Sequence, residues 1–550
     1  MIILNLDAIT RHFGANDVLR GVSAAFQEGT VIGLVGPNGS GKSTLMRILA
    51  AEDQPDGGSI YRYPGQRVAR LAQDPELDVT RTVLEEAMTA GPAIRAMAEE
   101  LAALEERMGR PEVYEDARRL QNTIDAHARA TQAFAAAGGP AFAGRLRATL
   151  RGLGFEEADL DLPVSVLSGG QKKLLGLAKV LVEAPDLLLL DEPDNHLDLA
   201  AKEDLERTLE RYGGTVVLIS HDRYLLDLVA DGILELDHGV ATQYEGGYTE
   251  YVAERAERRA RAEKAWGMEE KELQRLDAAR RRIIAWSSGG QNEKMIRRAR
   301  NIERRMERMP RTDRPTSDRR GIGLAFQAER GGDRVLQIKG LSKAFGDKSL
   351  FQDLDLTLWR GERVGLVGGN GTGKSVLLKT ILGEIAPDAG TVNLGPTIQV
   401  GHYAQEHEDL DGTRTPIEEI RRVRPLSEGA ALGFLGRFLF DQAMATRPIS
   451  RLSGGERSRM QMARLMLESP NFLLLDEPTN HFDIASAEVL EDALSEYSGT
   501  VFVVSHDRYF LDTVATRIVE LEGGRLWDYP DCNYTAYLAE RAKRRPILAS

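Results

Sequence analysis

The sequence predicts an α/β protein with two phosphate-loop domains in tandem, an α-helical hairpin linker between them and a helical arm inserted in the first domain. Residues 36–43 (GPNGSGKS) and 368–375 (GGNGTGKS) both match the phosphate-loop pattern G-x-x-x-x-G-K-[ST]. Two later motifs are repeated in the same order, LSGGQ and LSGGE at 167–171 and 452–456, and LDEP at 190–193 and 475–478. A set of motifs that recurs in one order indicates a duplicated domain.

Length and composition fit a protein of two or three domains. The 550 residues exceed one ordinary domain, and 42% hydrophobic residues are enough for packed cores. Cys532 is the single cysteine, which excludes an internal disulfide and fits a reducing compartment. No stretch approaches the roughly 18 apolar residues of a membrane-spanning helix, and residues 1–7 lack the basic start of a signal peptide. We therefore expect a cytoplasmic protein with no membrane or transmembrane partner.

The two repeats differ in length at one place. Equivalent residues are offset by 332 positions up to Gln73 and by 285 positions from Ser168 onward, so the first repeat has 47 extra residues. This insertion lies near 90–138. We predict a first domain at 1–247, a linker at 248–325 and a second domain at 334–540.

The insertion has the pattern of two helices. Apolar residues recur every three or four positions from Ile94 to Leu104, and a glycine and a proline interrupt the pattern at 109–111. A second helical stretch follows at 112–137, with Tyr114, Leu120 and Ile124 as the predicted contacts to the first helix. The prediction is a projecting helical hairpin, and an insertion without a function of its own remains the alternative.

The linker has the pattern of a second helical hairpin. A long helix is predicted at 248–285, a turn at 287–292 and a shorter helix at 293–309, which Pro310 stops. Residues 310–323, rich in arginine, aspartate and proline, are predicted to form a flexible strap.

The linker also departs from the charge of the rest of the chain. The net charge is −13, yet residues 275–311 contain 12 Lys/Arg against 4 Asp/Glu. Such a density predicts contact with an RNA backbone. The alternative, a solvated helix with Glu–Arg pairs four residues apart, explains 251–275 well and 280–311 poorly. Trp286, beside the turn, is a candidate for stacking or packing. The predicted RNA-contacting residues are Arg280, Arg281, Arg282, Lys294, Arg297, Arg298, Arg300 and Arg304.

The phosphate loops predict nucleotide binding. Each follows an apolar strand and begins a helix, so that glycine backbone N–H groups and the helix N-terminus face the phosphates. Lys42 and Lys374 are predicted to neutralise the β- and γ-phosphates, and the hydroxyls of Ser43 and Ser375 to bind Mg²⁺.

The acidic residues that end two leucine-rich strands predict hydrolysis. Asp191 and Asp476 are expected to hold the metal ion through water. Glu192 and Glu477 are the candidate general bases that polarise the attacking water. The alternative is that these carboxylates are ordinary solvated strand ends.

Two histidines and two phenylalanines complete the predicted sites. His221 and His506 each stand 30 residues beyond their aspartate, which favours a γ-phosphate contact over a purely structural role. Phe13 and Phe345 precede their lysines by 29 residues and are candidates for stacking on adenine. The alternative for the phenylalanines is burial in the core.

Together these motifs resemble the ATP-binding cassette superfamily. The pairing in one chain, the segments Asp194–Asp198 and Thr479–Asp483 and the helical linker resemble its ABC-F family. The resemblance implies an ATPase whose cassettes close head-to-tail around two ATP molecules, so that the signature motif of each cassette completes the other's site. It implies a monomer with an intramolecular cassette dimer, and Gln73 and Gln405 as further magnesium ligands. The implied ATP-binding residues are Gly36, Asn38, Gly39, Gly41, Lys42, Ser43, Thr44, Gly368, Asn370, Gly371, Gly373, Lys374, Ser375, Phe13, Phe345, Ser168, Gly169, Gly170, Gln171, Ser453, Gly454, Gly455 and Glu456.

Two residues depart from the family pattern. Asp194 stands where ABC-F proteins usually have threonine, as at Thr479, and Val376 stands where the first cassette has Thr44. Both departures predict that the two ATP sites are not equivalent.

The resemblance further implies a translation factor. ATP-bound closure would fit the protein into the ribosomal E site, where the linker reaches P-site tRNA and rRNA, and hydrolysis would release it. Antibiotic resistance by ribosome protection remains open, although the short linker turn favours a housekeeping factor. Two further alternatives are the ATPase subunit of a membrane transporter and an ATPase that acts on DNA. The fused cassettes and basic hairpin argue against the transporter, and the absence of very long coiled coils and zinc-binding cysteines argues against the DNA enzyme.

Overall fold

The computed structural model of this chain describes residues 1–14, 16–287, 293–309, 332–346, 348–403, 410–480 and 482–544, without the side chains of 286–287 and 293–296. The predicted strap at 310–323, most of the predicted turn at 287–292, Gln405 and the side chains of Trp286 and Lys294 lie outside that description. In the part of the chain that is described, no helix combines the length and apolar character needed to cross a membrane. The chain forms two compact units, one of both cassettes (Met1–Gln243 with Ile322–Ser550) and one of the linker (Tyr244–Gly321).

The first cassette is built on two sheets. Its strands are β1 (Ile2–Phe13), β2 (Asn16–Gln27), β3 (Val31–Val35), β4 (Gly57–Arg62), β5 (Val68–Leu71), β6 (Leu187–Asp191), β7 (Thr215–Ile219), β8 (Gly232–Asp237) and β9 (Val240–Glu245). An antiparallel sheet has the order β2-β1-β4, and a six-stranded sheet has the order β5-β6-β7-β3-β8-β9. Strands β5, β6, β7, β3 and β8 pair in parallel, so their carboxyl ends meet at one edge.

Helices connect the parallel strands of the first cassette. They are α1 (Lys42–Leu49), α2 (Val83–Ala87), α3 (Pro92–Met108), α4 (Pro111–Tyr114), α5 (Ala117–Ala136), α6 (Gly139–Gly152), α7 (Gly169–Val182), α8 (Leu199–Glu210) and α9 (Arg223–Val229). An apolar core packs α1 between the two sheets, with Leu4, Leu45 and Leu189 fully buried. Burial of side chains of this size stabilises the cassette by about 1.5–3 kcal/mol each, and it fixes the loop that precedes α1.

The insertion in the first cassette forms the predicted helical arm, in which α3 packs against α5. The predicted contacts in its second half were wrong for Tyr114 and Ile124, which are 52% and 42% exposed. A new helix, α5, begins after Asp116, so the spacing of its buried residues is independent of that in the preceding segment. The Asp116 carboxylate caps α5 by accepting hydrogen bonds from the backbone N–H groups of Arg118 and Arg119. The buried stripe of α5 therefore includes Thr123 and half-buried His127, which lies 3.3 Å from Glu105 of α3.

The second cassette repeats this architecture without the arm. Its strands are β10 (Arg334–Phe345), β11 (Lys348–Trp359), β12 (Arg363–Val367), β13 (Ala389–Leu394), β14 (Val400–Tyr403), β15 (Phe472–Asp476), β16 (Thr500–Val504), β17 (Arg517–Glu522) and β18 (Arg525–Tyr529). The sheet orders are β11-β10-β13 and β14-β15-β16-β12-β17-β18. Its helices are α12 (Lys374–Ile381), α13 (Pro416–Val423), α14 (Glu428–Gly436), α15 (Gln442–Thr446), α16 (Gly454–Glu468), α17 (Ile484–Ser495), α18 (Arg508–Val514) and α19 (Tyr534–Arg544).

The linker unit is an antiparallel pair of helices, α10 (Tyr248–Ser287) and α11 (Glu293–Glu307), which lie between α9 and α12 in the sequence. The 40 residues of α10 span roughly 60 Å. On α11, buried Ala299 and half-buried Ile302 and Met306 share one face, which packs on α10. Two ion pairs join the helices, Arg280–Glu303 and Arg305–Glu272, each at 3.4 Å.

Candidate functional site

Both phosphate loops lie between a buried parallel strand and a helix, as the sequence predicts. The Lys42 ammonium donates hydrogen bonds to the carbonyl oxygens of Gly36 at 2.7 Å and Pro37 at 3.0 Å. Lys374 makes the equivalent bonds at 2.8 and 2.9 Å. Burial lowers the pKa of both lysines, against the raising effect of nearby carboxylates. Each buried ammonium is thus held inside its loop, where an anionic phosphate would stabilise it.

The first glycine of each loop is required by the close approach of a neighbouring strand. A Cβ atom at Gly36 would lie 2.2 Å from the carbonyl oxygen of Leu236, and one at Gly368 would lie 2.5 Å from that of Leu521. The clash would be with backbone atoms, which cannot move aside as a flexible side chain can. Only glycine, which has no Cβ atom, therefore fits where the loop lies so close to the neighbouring strand.

The side chains around each strand-end aspartate fit a magnesium ion. The Ser43 hydroxyl lies near Asp191 and the Ser375 hydroxyl near Asp476. Burial raises the pKa of both aspartates, and each hydroxyl opposes the rise in the pKa of its aspartate. One Asp191 carboxylate oxygen is buried without a hydrogen-bond partner. Hydroxyl and carboxylate oxygens are the ligands that Mg²⁺ prefers, completed in such sites by water and phosphate. Among the described residues, no group of three or more His, Cys, Asp or Glu side chains that could by itself hold a metal ion occurs.

In the first site, Glu192 lies in a network of side chains. Its carboxylate accepts hydrogen bonds from the amides of Gln73 at 2.7 Å and Asn195 at 2.6 Å, and it lies 3.5 Å from His221. Burial would raise its pKa, but His221, Lys173 and Lys42 outweigh that effect and hold the pKa below its ordinary value. The carboxylate therefore remains ionised, as a general base requires.

In the second site, Glu477 is held differently. It accepts a hydrogen bond from the backbone N–H of His506 at 3.2 Å, and the His506 ring lies 3.4 Å from it. Burial and neighbouring Asp476 raise its pKa to about 7, in spite of Lys374. Burial and two lysines hold the pKa of His506 well below its ordinary value, so this ring is neutral at pH 7.

Both glutamates have a backbone conformation that is rare for residues other than glycine. The φ angles are 51° at Glu192 and 48° at Glu477, and the N–H of each bonds to the end of the next strand at 2.9 Å. Such strain costs of order 1–3 kcal/mol and is typical of functional positions. This conformation ends the extended backbone of the strand, so the glutamate side chain does not follow the direction that the strand would give it.

The motifs of both cassettes line one cavity of about 1170 Å³. Each phosphate loop is joined to the other cassette by the aspartate that caps α8 or α17. Asp198 accepts hydrogen bonds from its own helix and from the backbone N–H of Asn370 at 2.9 Å. Asp483 does the same with its helix and with Asn38 at 3.0 Å. The cassettes are therefore arranged head-to-tail.

The signature motifs cap helices that face this cavity. Ser168 and Ser453 accept hydrogen bonds from backbone N–H groups of α7 and α16, and the side chains of Gln171 and Glu456 bond back to the serine N–H groups. Gln171 and Glu456 thus serve as caps, and the cavity is lined instead by the serines and the glycines that follow them. Of the other predicted ATP-binding residues, all but Gly36 and Gly368 line it: Phe13, Asn38, Gly39, Gly41, Lys42, Ser43, Thr44, Phe345, Asn370, Gly371, Gly373, Lys374 and Ser375.

Phe13 and Phe345 are not core residues. They are 46% and 53% exposed, and both line the cavity. A cation lies over each ring, the Arg11 guanidinium at 5.1 Å and the Lys343 ammonium at 5.3 Å from the ring centre. Exposure at the cavity excludes the core alternative and leaves a ring face for a base.

Sequence reasoning missed a pair of ionic contacts across the cassette interface. Buried Arg223 pairs with Glu491, and its guanidinium lies 4.0 Å from the Tyr509 ring centre. Arg508 makes the equivalent pair with Glu206 at 2.7 Å, and it lies 4.6 Å from the Tyr224 ring. The repeated His-Asp-Arg-Tyr motif at 221–224 and 506–509 was the available signal.

The predicted RNA-contacting residues lie in the linker unit. Arg281, Arg282, Arg297, Arg298, Arg300 and Arg304 are exposed, and Arg280 is half-buried. Asp277 pairs with Arg280 at 3.0 Å and with Arg281 at 2.7 Å. Among the described residues, no ion pair involves Arg282 or the four arginines of α11 named here.

Comparison with known proteins agrees with this geometry. A family model described as ABC transporter matches residues 19–195 and 351–480, and a second with the same description matches 234–323. The chain is 36% identical to ABC transporter F family member 5 of Arabidopsis thaliana, covering 98% of this chain and 78% of that protein. It is 34% identical to the energy-dependent translational throttle protein EttA of Escherichia coli K12, covering 97% of this chain and 94% of that protein.

Solved structures share the fold at lower sequence identity. The archaeal ribosome recycling factor aABCE1, solved with the stalk protein aP1, has a TM-score of 0.62 at 20% identity, with 98% of this chain and 92% of that chain covered. A structure described as RNase-L Inhibitor has a TM-score of 0.61 at 19% identity, with 98% and 93% covered. Full-length similarity to F-family relatives, together with two complete sets of cassette motifs, shows that this chain belongs to the ABC-F family of ATPases.

Proposed function

We propose that this ATPase binds two ATP molecules between its cassettes and acts on the ribosome to regulate or rescue translation. Each ATP would lie between the phosphate loop of one cassette and the signature of the other. The contacts of Asn38 with Asp483 and of Asn370 with Asp198 support this crossed arrangement. In one site Lys42 and Glu192 would act with the signature at 453–456, and in the other Lys374 and Glu477 would act with that at 168–171.

The residues of each site have distinct proposed roles in hydrolysis. Ser43 and Asp191, with Gln73, would hold Mg²⁺ in the first site, and Ser375 and Asp476, with Gln405, in the second. The ion would neutralise phosphate charge. Glu192 and Glu477 would accept the proton of the attacking water, and His221 and His506, which lie 3.5 and 3.4 Å from them, would contact the γ-phosphate.

The observation that supports action on RNA is the arginine face of α11. This face presents the exposed residues Arg297, Arg298, Arg300 and Arg304. Ala299, on the opposite face of the helix, is buried against α10. The exposed guanidinium groups of these four arginines, which form no ion pair within the described part of the chain, are suited to a phosphate backbone. The relative EttA is a translational throttle protein by name, which places that relative in translation. We propose that ATP-dependent closure favours binding in the ribosomal E site, with the linker on P-site tRNA and rRNA.

The test is co-sedimentation of the Glu192→Gln/Glu477→Gln double variant with 70S ribosomes, with and without ATP. Loss of both bases should trap the closed state, so binding should require ATP. The linker variant Arg297→Glu/Arg298→Glu/Arg300→Glu should lose this binding. A matched control reverses three exposed basic residues of the second cassette, Lys348→Glu/Arg360→Glu/Arg525→Glu, and should retain it. ATP-independent sedimentation, or equal loss in both triple variants, would contradict the proposal.

A further inference from the structure

A buried ionic cluster in the first cassette has no equivalent among the described residues of the second. The Lys202 ammonium lies 2.8 Å from the Asp222 carboxylate, and Asp194 is a second acidic neighbour of Lys202. Lys202, Asp194 and Asp222 are all buried. Asp222 also caps α9, accepting hydrogen bonds from Tyr224 and Leu225. These contacts hold the lysine side chain in one position.

The cluster reaches across the interface to the second cassette. The Lys202 ammonium donates a hydrogen bond to the carbonyl oxygen of His506 at 2.9 Å. The N–H of His506 bonds in turn to Glu477 at 3.2 Å. The backbone of His506 is thus held on one side by the opposite cassette and on the other by the proposed general base.

The repeat offset of 285 makes the asymmetry explicit. Lys202 corresponds to Ala487 and Asp194 corresponds to Thr479, while Asp222 corresponds to Asp507. The methyl group of Ala487 cannot donate a hydrogen bond to His221. The first cassette thus has a lysine and an aspartate where the second has alanine and threonine. The positive charge of Lys202 and the negative charge of Asp194 offset each other, so the two replacements together leave the net buried charge unchanged.

We propose that Lys202 is a positioning residue of the second ATP site, which it organises across the cassette interface by fixing the backbone of His506. The inference rests on the assignment of Glu477 and His506 proposed above. Because Lys202 belongs to the first cassette, this contact exists only while the cassettes are closed. Hydrolysis at the second site is therefore tied to closure by a contact that the first site lacks.

The test measures each site separately. The Glu192→Gln variant leaves the second site active, and Glu477→Gln leaves the first. Into each we would introduce Lys202→Ala, and also Lys202→Ala/Asp194→Thr, which installs the residues of the equivalent positions of the second cassette and removes one of the two acidic neighbours of Lys202. In the Glu192→Gln background both changes should lower kcat for ATP by about 10- to 100-fold, because His506 loses its position, with KM little changed.

In the Glu477→Gln background, kcat should change less than twofold. Equal losses in the two backgrounds would show a general structural role and overturn the proposal. An unchanged kcat of the Lys202→Ala/Asp194→Thr variant at the second site would overturn it as well. Thermal unfolding of the same variants identifies any that fail to fold. If Glu192→Gln and Glu477→Gln did not themselves reduce hydrolysis, the site assignment would fail before the role of Lys202 was tested.

Discussion

The two candidate ATP sites are built from the same motifs but hold their proposed general bases in different ways. Glu192 is held by the side-chain amides of Gln73 and Asn195, and its pKa lies below the ordinary value. Glu477 is held by the backbone of His506, and burial raises its pKa to about 7. Identical residues at equivalent positions therefore do not make identical sites, because the surrounding charges and hydrogen bonds set the protonation state of the carboxylate.

The two glutamates differ in their contacts, whereas the interface between the two cassettes is largely symmetric. The aspartates that contact the phosphate loops and the arginines that pair across the interface occur as matched pairs related by the repeat. Three charged residues described above break the relation: Asp194, Lys202 and Lys173, which correspond to Thr479, Ala487 and Ser458. Lys173 contacts Glu192, and Lys202 contacts His506. We infer that the cassettes close nearly symmetrically and that inequality arises locally, beside Glu192 and His506.

The largest effect is expected from removing the general bases. Glu192→Gln and Glu477→Gln should each abolish hydrolysis at one site, and the double variant should lower total ATPase activity by about 100- to 10,000-fold. Single-turnover assays would measure the rate that each single variant retains. Equal residual rates in the two single variants would contradict functional inequality of the sites.

A second prediction concerns the symmetric part of the interface. Arg223→Met leaves Glu491 buried and unpaired, and Arg508→Met does the same to Glu206, so each should destabilise the closed cassettes by about 3–5 kcal/mol. Urea denaturation would give the change in stability, and small-angle scattering would detect opening of the cassettes. The double variant Arg223→Met/Glu491→Gln, which removes the unpaired carboxylate, is the control and should lose less. A large difference between the two arginine variants would show that the interface is asymmetric as well.

A third prediction concerns the aromatic residues at the cavity. Phe13→Ala and Phe345→Ala should each weaken ATP binding at one site by about 1–3 kcal/mol, the usual contribution of a base stacked on an aromatic ring. Equilibrium binding of ATP to the Glu192→Gln/Glu477→Gln background would measure it. Because both rings are exposed, the melting temperature should hardly change. A lower melting temperature with unaltered ATP affinity would restore a structural role.

The smallest effect is a shift in the titration of His506. In protein free of nucleotide and metal, its imidazole should stay neutral from pH 8 to 6, because burial, Lys374 and Lys202 lower its pKa. Below pH 6.5 the unfolded chain takes up the proton first, so this histidine makes folding less favourable as the pH falls. NMR titration, with His506→Gln to assign the resonance, would measure the pKa. Lys202→Ala should raise it toward 6.5, and a midpoint already at 6.5 in the parent protein would contradict the burial argument.

Much of the fold was accessible from the sequence because its signals are local. The phosphate loop, the leucine-rich strand and the acidic pair are each contiguous, and their order repeats along the chain. The fold-class prediction, with a helical arm and a helical linker, is confirmed. The packing of the arm was harder to predict, since a cap at Asp116 restarts the helical period and places Thr123 and His127 in the buried stripe.

The candidate site divides in the same way. Glu192, Lys42 and Ser43 could be named from local pattern. Asn195 lies in the motif segment Asp194–Asp198, which gave no role for it, and Lys173 carries no motif-level signal, although both contact Glu192. The sequence alone also indicated that Asp194 departs from its counterpart. It gave no sign that Lys202 accompanies this change, because eight positions separate the two residues.

By itself the sequence determined the chemistry of each cassette, since nucleotide-binding loops and strand-end carboxylates depend on neighbouring residues in the chain. Only the tertiary structure decided which residues of the two cassettes meet across their interface. Asn38 meets Asp483, and Lys202 meets the carbonyl of His506, across 445 and 304 positions of the chain. Such contacts depend on how two folded surfaces pack together, and the bond between Lys202 and His506 involves a backbone carbonyl that every residue possesses. No residue pattern in the sequence can therefore predict this hydrogen bond.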